Sequence, residues 1–179
     1  MVSVRKFWIM NIATAGLYSV YWSYRHYQTI RQNSNEDLWP VARAIFIIFF
    51  YRDLYRRFAV QALSRDQNFT FNHLQYATAS VVVILISSLS GQLSGRGIGV
   101  PITNFLPLIL VFAQTYLLAA AQSVANFASD DEQGSANANF TALNVLWMAM
   151  GALMWGLAIF GIYAAVFNPE LLRSVSRVG

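Results

Sequence analysis

Apolar residues in this chain fall in long runs separated by short polar connectors. Residues 73–90, centred on VVVILI, form one run of membrane-helix length. VVVILI alone would suit a buried strand, but an open strand leaves its backbone unsatisfied in lipid, so a helix is expected. Residues 102–127 and 140–167 form two more runs. The last is uncharged throughout and would reach ~42 Å as one helix, past a ~30 Å hydrocarbon core. It is expected to tilt, kink or extend beyond the core.

Two earlier stretches are less regular. Residues 7–22 would reach only ~24 Å as a helix, so they form a short span or a re-entrant element. Phe7, Asn11, Thr14, Tyr18, Tyr21 and Arg25 follow a 4-3-4-3-4 spacing, one stripe if the helix is continuous. Asn11 and Thr14 then bond a neighbouring helix or touch a ligand. Ala15, Ser19 and Ser23 form a ridge of small residues beside Gly16. Trp8 and Trp22 are placed as belt residues at opposite interfaces. In residues 41–65, Tyr51, Leu54, Tyr55, Phe58 and Ala62 recur at helical spacing opposite Arg52, Asp53, Arg56 and Arg57. This predicts a basic amphipathic helix lying in the interface, or one whose first half dips into the bilayer. Arg43 and Arg52 flank its most apolar part and can snorkel to phosphates, or the arginines simply form a solvated face.

The connectors carry weak signals. The Gly-rich stretch 91–101 lacks the strand and the Lys-Ser/Thr of a phosphate loop, so a flexible loop is expected. Asp130, Asp131 and Glu132 lack the alternating spacing of a calcium loop and are expected to be solvated. Ala152/Gly156 and Gly161/Ala165 are further small pairs suited to helix packing. Asn168-Pro169 is expected to end the last helix, followed by Arg173 and Arg177 in a basic tail.

Composition supports a membrane solvent. Only 11% of the 179 residues are charged, against roughly 25% in a soluble domain. The expected fold is a single all-α membrane domain over residues 1–179: about four transmembrane or re-entrant helices plus one basic amphipathic interfacial helix. Nine of the twelve basic residues lie between Arg5 and Arg65, interleaved with Phe, Tyr and Ile. That mixture favours anionic lipid headgroups over nucleic acid. Positive charge also bears on topology. Seven arginines from Arg25 to Arg65 place that region on the cytoplasmic side. Arg5 and Lys6 join them only if residues 7–22 turn back. Arg5-Lys6 and Ala13-Thr14-Ala15 imitate a cleavable leader, but the apolar core between them is below the ~7–15 residues required. An uncleaved segment is expected.

The opening residues Lys6, Phe7, Met10, Thr14, Gly16, Tyr18, Tyr21, Trp22 and Tyr24 spell K-F-x-x-M-x-x-x-T-x-G-x-Y-x-x-Y-W-x-Y. This resembles the opening signature of a family of bacterial integral membrane proteins, a domain of unknown function. Pro40, Arg43, Ala44 and Phe46 resemble its P-x-x-R-A-x-F. Gln122 and Asn126 resemble its Q-x-x-x-N, and Asn144, Gly151 and Trp155 its last helix. The long acidic connector and the Ala-rich stretch 119–121 depart from the pattern. The resemblance implies a multi-pass protein of the bacterial inner (cytoplasmic) membrane and carries no activity with it.

No catalytic motif is present. The two histidines, His26 and His73, lie in different segments, and there is no cysteine. Ionisable residues inside spans mark pumps and intramembrane enzymes, and the three apolar runs hold none. The expectation is a non-enzymatic scaffold, assembly or lipid-associating module, without metal or cofactor, with anionic lipid, a second copy or a membrane protein as partner. A small oligomeric transporter or channel component is the alternative. The candidate contacts are Asn11, Thr14, Tyr18, Arg25, Arg43, Arg52, Arg56 and Arg57.

Overall fold

The computed structural model describes residues 1–34 and 36–167. The tail arginines Arg173 and Arg177 and the helix end at Asn168-Pro169 lie outside these residues. Seven helices follow one another: α1 (Val4–Ala13), α2 (Tyr18–Asn33), α3 (Pro40–Ile45), α4 (Ile47–Arg65), α5 (His73–Gly95), α6 (Ile102–Ala128) and α7 (Ala142–Phe167). Among the described residues there is no β-strand, only an isolated bridge between Val2 and Asn137. Three helices, α5, α6 and α7, are long and apolar enough to cross a membrane. The architecture is that of an all-helical, multi-pass membrane protein.

Residues 7–22 are not one helix. α1 stops at Ala13, and its end closes by two bonds, from the Gly16 N–H to the Asn11 carbonyl (2.7 Å) and from the Ala15 N–H to the Ile12 carbonyl (3.0 Å). These are the two bonds of a Schellman motif. Ala15 takes the left-handed position at φ 51° and Gly16 follows at φ 90°. The Thr14 hydroxyl then accepts from the Tyr18 N–H (3.0 Å), satisfying a free donor of α2. The chain therefore turns back. Gln122 of α6 proves the return, because it bonds both the Val2 carbonyl and the side chains of Trp22 and His26. Trp22 is consequently a core residue, 2% exposed, and not an interfacial belt.

Residues 41–65 are also two helices. α3 begins on Pro40, as its fixed φ favours, and ends at Phe46 before α4 starts. The apolar stripe expected on α4 is real: Tyr51, Leu54, Tyr55, Phe58 and Ala62 are all buried. It is buried by the chain's own helices. Tyr55 meets Ser80 of α5 and Tyr51 meets Gln114 of α6. α4, α5 and α6 thus form the packed body, with α1 laid along α6 through Asn11 and Thr115 (2.7 Å).

α7 stands apart. Its buried residues are Gly151 and Ala164. Gly151 lies against the backbone of Ala13 and Thr14, and a Cβ there would overlap the Ala13 carbonyl. The Trp155 indole donates to the Ile12 carbonyl (2.8 Å). Of the small pairs expected to pack, Ala152, Gly156 and Gly161 are exposed within the chain.

The connectors define two ends. Arg65 at the end of α4 pairs with Asp130 (2.5 Å) and Phe69 stacks on Phe127 at 4.5 Å. Lys6 donates to the Asn137 side chain and the Asn139 carbonyl, both at 2.6 Å. The start of α1, the end of α4 and the 129–141 connector therefore meet at one end. Asp130 and Glu132 are solvated as expected, at 86% and 62% exposed, but the connector is also folded: Asp131 accepts from the N–H and hydroxyl of Ser135 at 2.8 Å. Its Gly134, at φ 63°, is pressed onto the Val2 backbone. Opposite lies the 96–101 turn with Arg96.

Candidate functional site

Three polar or concave features sit around the α1–α2 break. The first is a buried polar seam on α6. Gln122 is saturated: its carbonyl oxygen accepts from the Trp22 indole and from His26 Nε2 (3.0 Å), and its amide donates to Val2 (3.2 Å) and to Asn126 Oδ1 (2.5 Å). Asn126 donates to Val2 as well (3.1 Å). Because Gln122 Oε1 can only accept, His26 carries its proton on Nε2. Burial pulls the His26 pKa down to about 4, against the bond to Gln122, so the ring is neutral at pH 7. One layer deeper the seam is incomplete. Asn11 donates to Thr115, whose hydroxyl donates onward to Val111 (2.7 Å). The Asn11 carbonyl oxygen has no partner among the described residues, nor does that of Gln114.

The second feature is an arginine clamp. The Asp53 carboxylate accepts from Arg43 (2.8 Å) and Arg57 (3.0 Å), with Arg56 at 3.4 Å and the Tyr27 hydroxyl at 3.2 Å. Arg57 also holds Glu36 through two bonds of 2.7 Å. The Arg43 guanidinium lies 5.2 Å from the Tyr27 ring and 4.8 Å from the Phe50 ring. Burial would push the Asp53 carboxyl up, but Arg57, Tyr27 and Arg43 together outweigh it and hold it below its ordinary value. Arg57 lowers Glu36 in the same way. The clamp ties α2, α3, α4 and Glu36 of the connector after α2 together.

The third feature is an apolar groove of about 460 Å³. Thr14, Tyr18 and Tyr21 form one wall, Ala44 and Ile45 of α3 a second, and Trp147 of α7 a third. Tyr18 packs on Phe7 at 5.8 Å and is only 8% exposed.

The sequence-derived candidates separate accordingly. Asn11 turns to α6, whereas Tyr18 lines the groove and Thr14 lies at both the break and the groove. Arg43 and Arg57 are consumed in the clamp. Arg56 touches it but is 59% exposed. Arg25 and Arg52 are exposed and form no ion pair among the described residues. The stripe from Phe7 to Arg25 is not one face, because the break resets the helical phase at Gly16. The hub at Gln122 was signalled only as polar residues four apart in an apolar run. Lys6 and Asn137, 131 positions apart, gave no local signal of their pairing. Compared with protein-family models, curated proteins and solved structures, the chain finds no match.

Proposed function

We propose that this chain is a non-enzymatic module of a bacterial inner (cytoplasmic) membrane that associates with anionic lipid, and that it belongs with the membrane-protein family its opening motif resembles. One observation carries the reading. Among the described residues, every Lys, Arg, Asp and Glu except Arg96 lies in α1–α4, in the connectors that follow α2 and α4, or in the 129–141 connector that Lys6 and Arg65 hold against α1 and α4, and Arg25, Arg31 and Arg52 there are exposed and unpaired. Basic residues so gathered face the cytoplasm and its anionic leaflet. In this reading α1–α2 and α3–α4 are two helical hairpins that enter the bilayer from the cytoplasmic surface and return. The irregular backbone at residues 14–17 is tolerated because the turn satisfies its own donors, Gly16 N–H to Asn11, Ala15 N–H to Ile12 and Leu17 N–H to Thr14.

Phosphatidylglycerol added to the detergent-solubilised protein should raise its thermal midpoint, and phosphatidylcholine should not. Arg25→Gln, Arg31→Gln and Arg52→Gln combined should abolish the difference. Equal responses to both lipids in the parent protein would sink the reading. A transporter or channel component is favoured by one observation, the unpartnered Asn11 and Gln114 carbonyls beside a broken helix. Solute flux in proteoliposomes that disappears with Asn11→Leu would replace the first reading with this one.

A further inference from the structure

The lipid-associating reading says nothing about where a lipid would sit. We infer that the groove between the α1–α2 hairpin, α3 and α7 is a lateral site for one anionic phospholipid, its acyl chain in the groove and its headgroup toward Arg25. The inference rests on the lipid-associating reading and sharpens it to a single place.

Four observations converge there. The groove has one wall on α7, a helix of membrane-crossing character, and reaches the α1–α2 turn at Thr14 and Leu17. An occupant at that depth enters sideways from the hydrocarbon. Its volume of about 460 Å³ lies within the ~300–1,000 Å³ range of small-molecule sites. The surface is almost entirely apolar, as an acyl chain requires. The few polar groups on this surface come from Thr14, Tyr18, Tyr21, Tyr24 and Asn144. The Tyr18 ring is held in the core at 8% exposed, and its hydroxyl remains accessible, with no hydrogen-bond partner among the described residues. A phenol with an apolar body and an accessible hydroxyl calls for an acceptor, and a phospholipid's ester or phosphate oxygens are the acceptors available in a bilayer. Charge completes the arrangement. Tyr18, Tyr21 and Arg25 follow one another along the same side of α2, and Arg25 is exposed without an ion pair. Arg25 stands one turn beyond Tyr21 on α2, outside the groove lining. Arg–phosphate recognition is bidentate and suits that position.

The test uses the full chain in phosphatidylcholine vesicles doped with phosphatidylglycerol bearing a diazirine in mid-chain. Photoadducts are mapped by peptide mass spectrometry. Tyr21, Ile45 and Trp147 should carry several-fold more adduct than Leu85 and Leu89 of α5, which are exposed on the outside of the body. Val20→Trp, which fills the groove mouth, should remove that excess and leave α5 labelling unchanged. Val41→Trp does the same from the α3 side, so the result does not hang on one substitution folding. Tyr18→Phe keeps the ring and should lower groove labelling ~2- to 10-fold, the weight of one hydrogen bond. A diazirine phosphatidylcholine should label the groove less than the anionic probe. Even labelling of groove and α5, or an excess indifferent to both tryptophans, overturns the site while leaving the thermal preference for anionic lipid intact. Absence of lipid adducts at Trp147 together with a disulfide-linked dimer of Trp147→Cys, formed under an added oxidant, would overturn it in favour of a second copy. Loss of both the groove excess and the thermal preference removes site and reading together.

Discussion

A saturated amide in an apolar helix is a concentrated source of stability, and Gln122 is the case in point. Replacing it with Leu strands the Trp22 indole, the His26 N–H and the Asn126 carbonyl oxygen in a dry interior. Each stranded group costs ~1–3 kcal/mol, so Gln122→Leu should cost at least ~3 kcal/mol, read as a large fall in thermal midpoint in detergent. Asn11 behaves oppositely. Its carbonyl is already unpartnered, so Asn11→Leu removes an unsatisfied group and should be near neutral, within ~1 kcal/mol. Equal losses from the two variants would refute the distinction. His26 adds a pH dependence. Its folded pKa of about 4 lies below the ordinary 6.5, so the unfolded chain binds the proton first. The stability contribution is complete above about 6.5, falls by ~1.4 kcal/mol per pH unit below that, and levels off near 4. His26→Phe, which keeps an aromatic ring against Trp22 and Phe58, should flatten that limb of a midpoint-versus-pH curve. Gln122, Asn126 and the polar character of α2 were legible in the sequence. Their meeting was not, because Trp22 and Gln122 are 100 positions apart and nothing local names the partner.

Elements show the same boundary between local and distant information. The three long apolar runs became α5, α6 and α7 because length and hydropathy are properties of a run by itself. Both short elements broke where the local signal was ambiguous or missing. Gly16 reads equally as a packing residue or as a helix stop, since here Gly follows the left-handed residue instead of occupying it. Phe46 carries no breaking signal at all. The α7 contact illustrates how a small residue acquires meaning only from its neighbour. Gly151→Ala must push α7 off the Ala13 carbonyl and stretch the Trp155 bond, which should cost ~2 kcal/mol. Gly156 has open space around it, so Gly156→Ala should gain up to ~1 kcal/mol of helix propensity. Opposite signs in paired thermal melts are the expected outcome. The clamp divides likewise. Asp53→Asn leaves Arg43 and Arg57 facing each other over a neutral amide and should cost ~2 kcal/mol or more. Glu36→Gln, at an exposed pair, should change little.

At the scale of the whole molecule the open matter was the side on which the first residues lie. Charge counting alone gave a conflict: a crossing at residues 7–22 would separate Arg5 and Lys6 from the arginines of α2–α4. The fold removes the conflict for Arg5 and Lys6; the opposing count from Arg173 and Arg177, which three later spans put on the other side, lies outside the described residues. Lys6 is held by Asn137 and Asn139, and Arg65 by Asp130, so both basic groups are tied to one connector. The 96–101 turn lies a full α5 or α6 length away, ~35–40 Å at 1.5 Å per residue. Side assignment then follows from connectivity: α5 leaves the charged end, α6 returns to it, and α7 leaves again. Because the chain has no cysteine, single replacements report their own side without background. Ser3→Cys, Asn68→Cys and Ser135→Cys should react with a membrane-impermeant maleimide from one face of sealed membrane vesicles. Ile98→Cys should react only from the other. Inverted vesicles should exchange the two patterns, and the proposed lipid-associating reading requires the first three to be accessible where the cytoplasmic face is outward. Labelling of Ser3→Cys together with Ile98→Cys would mean that residues 7–22 cross after all, and the hairpin, its break and the groove built on it would fall with that result.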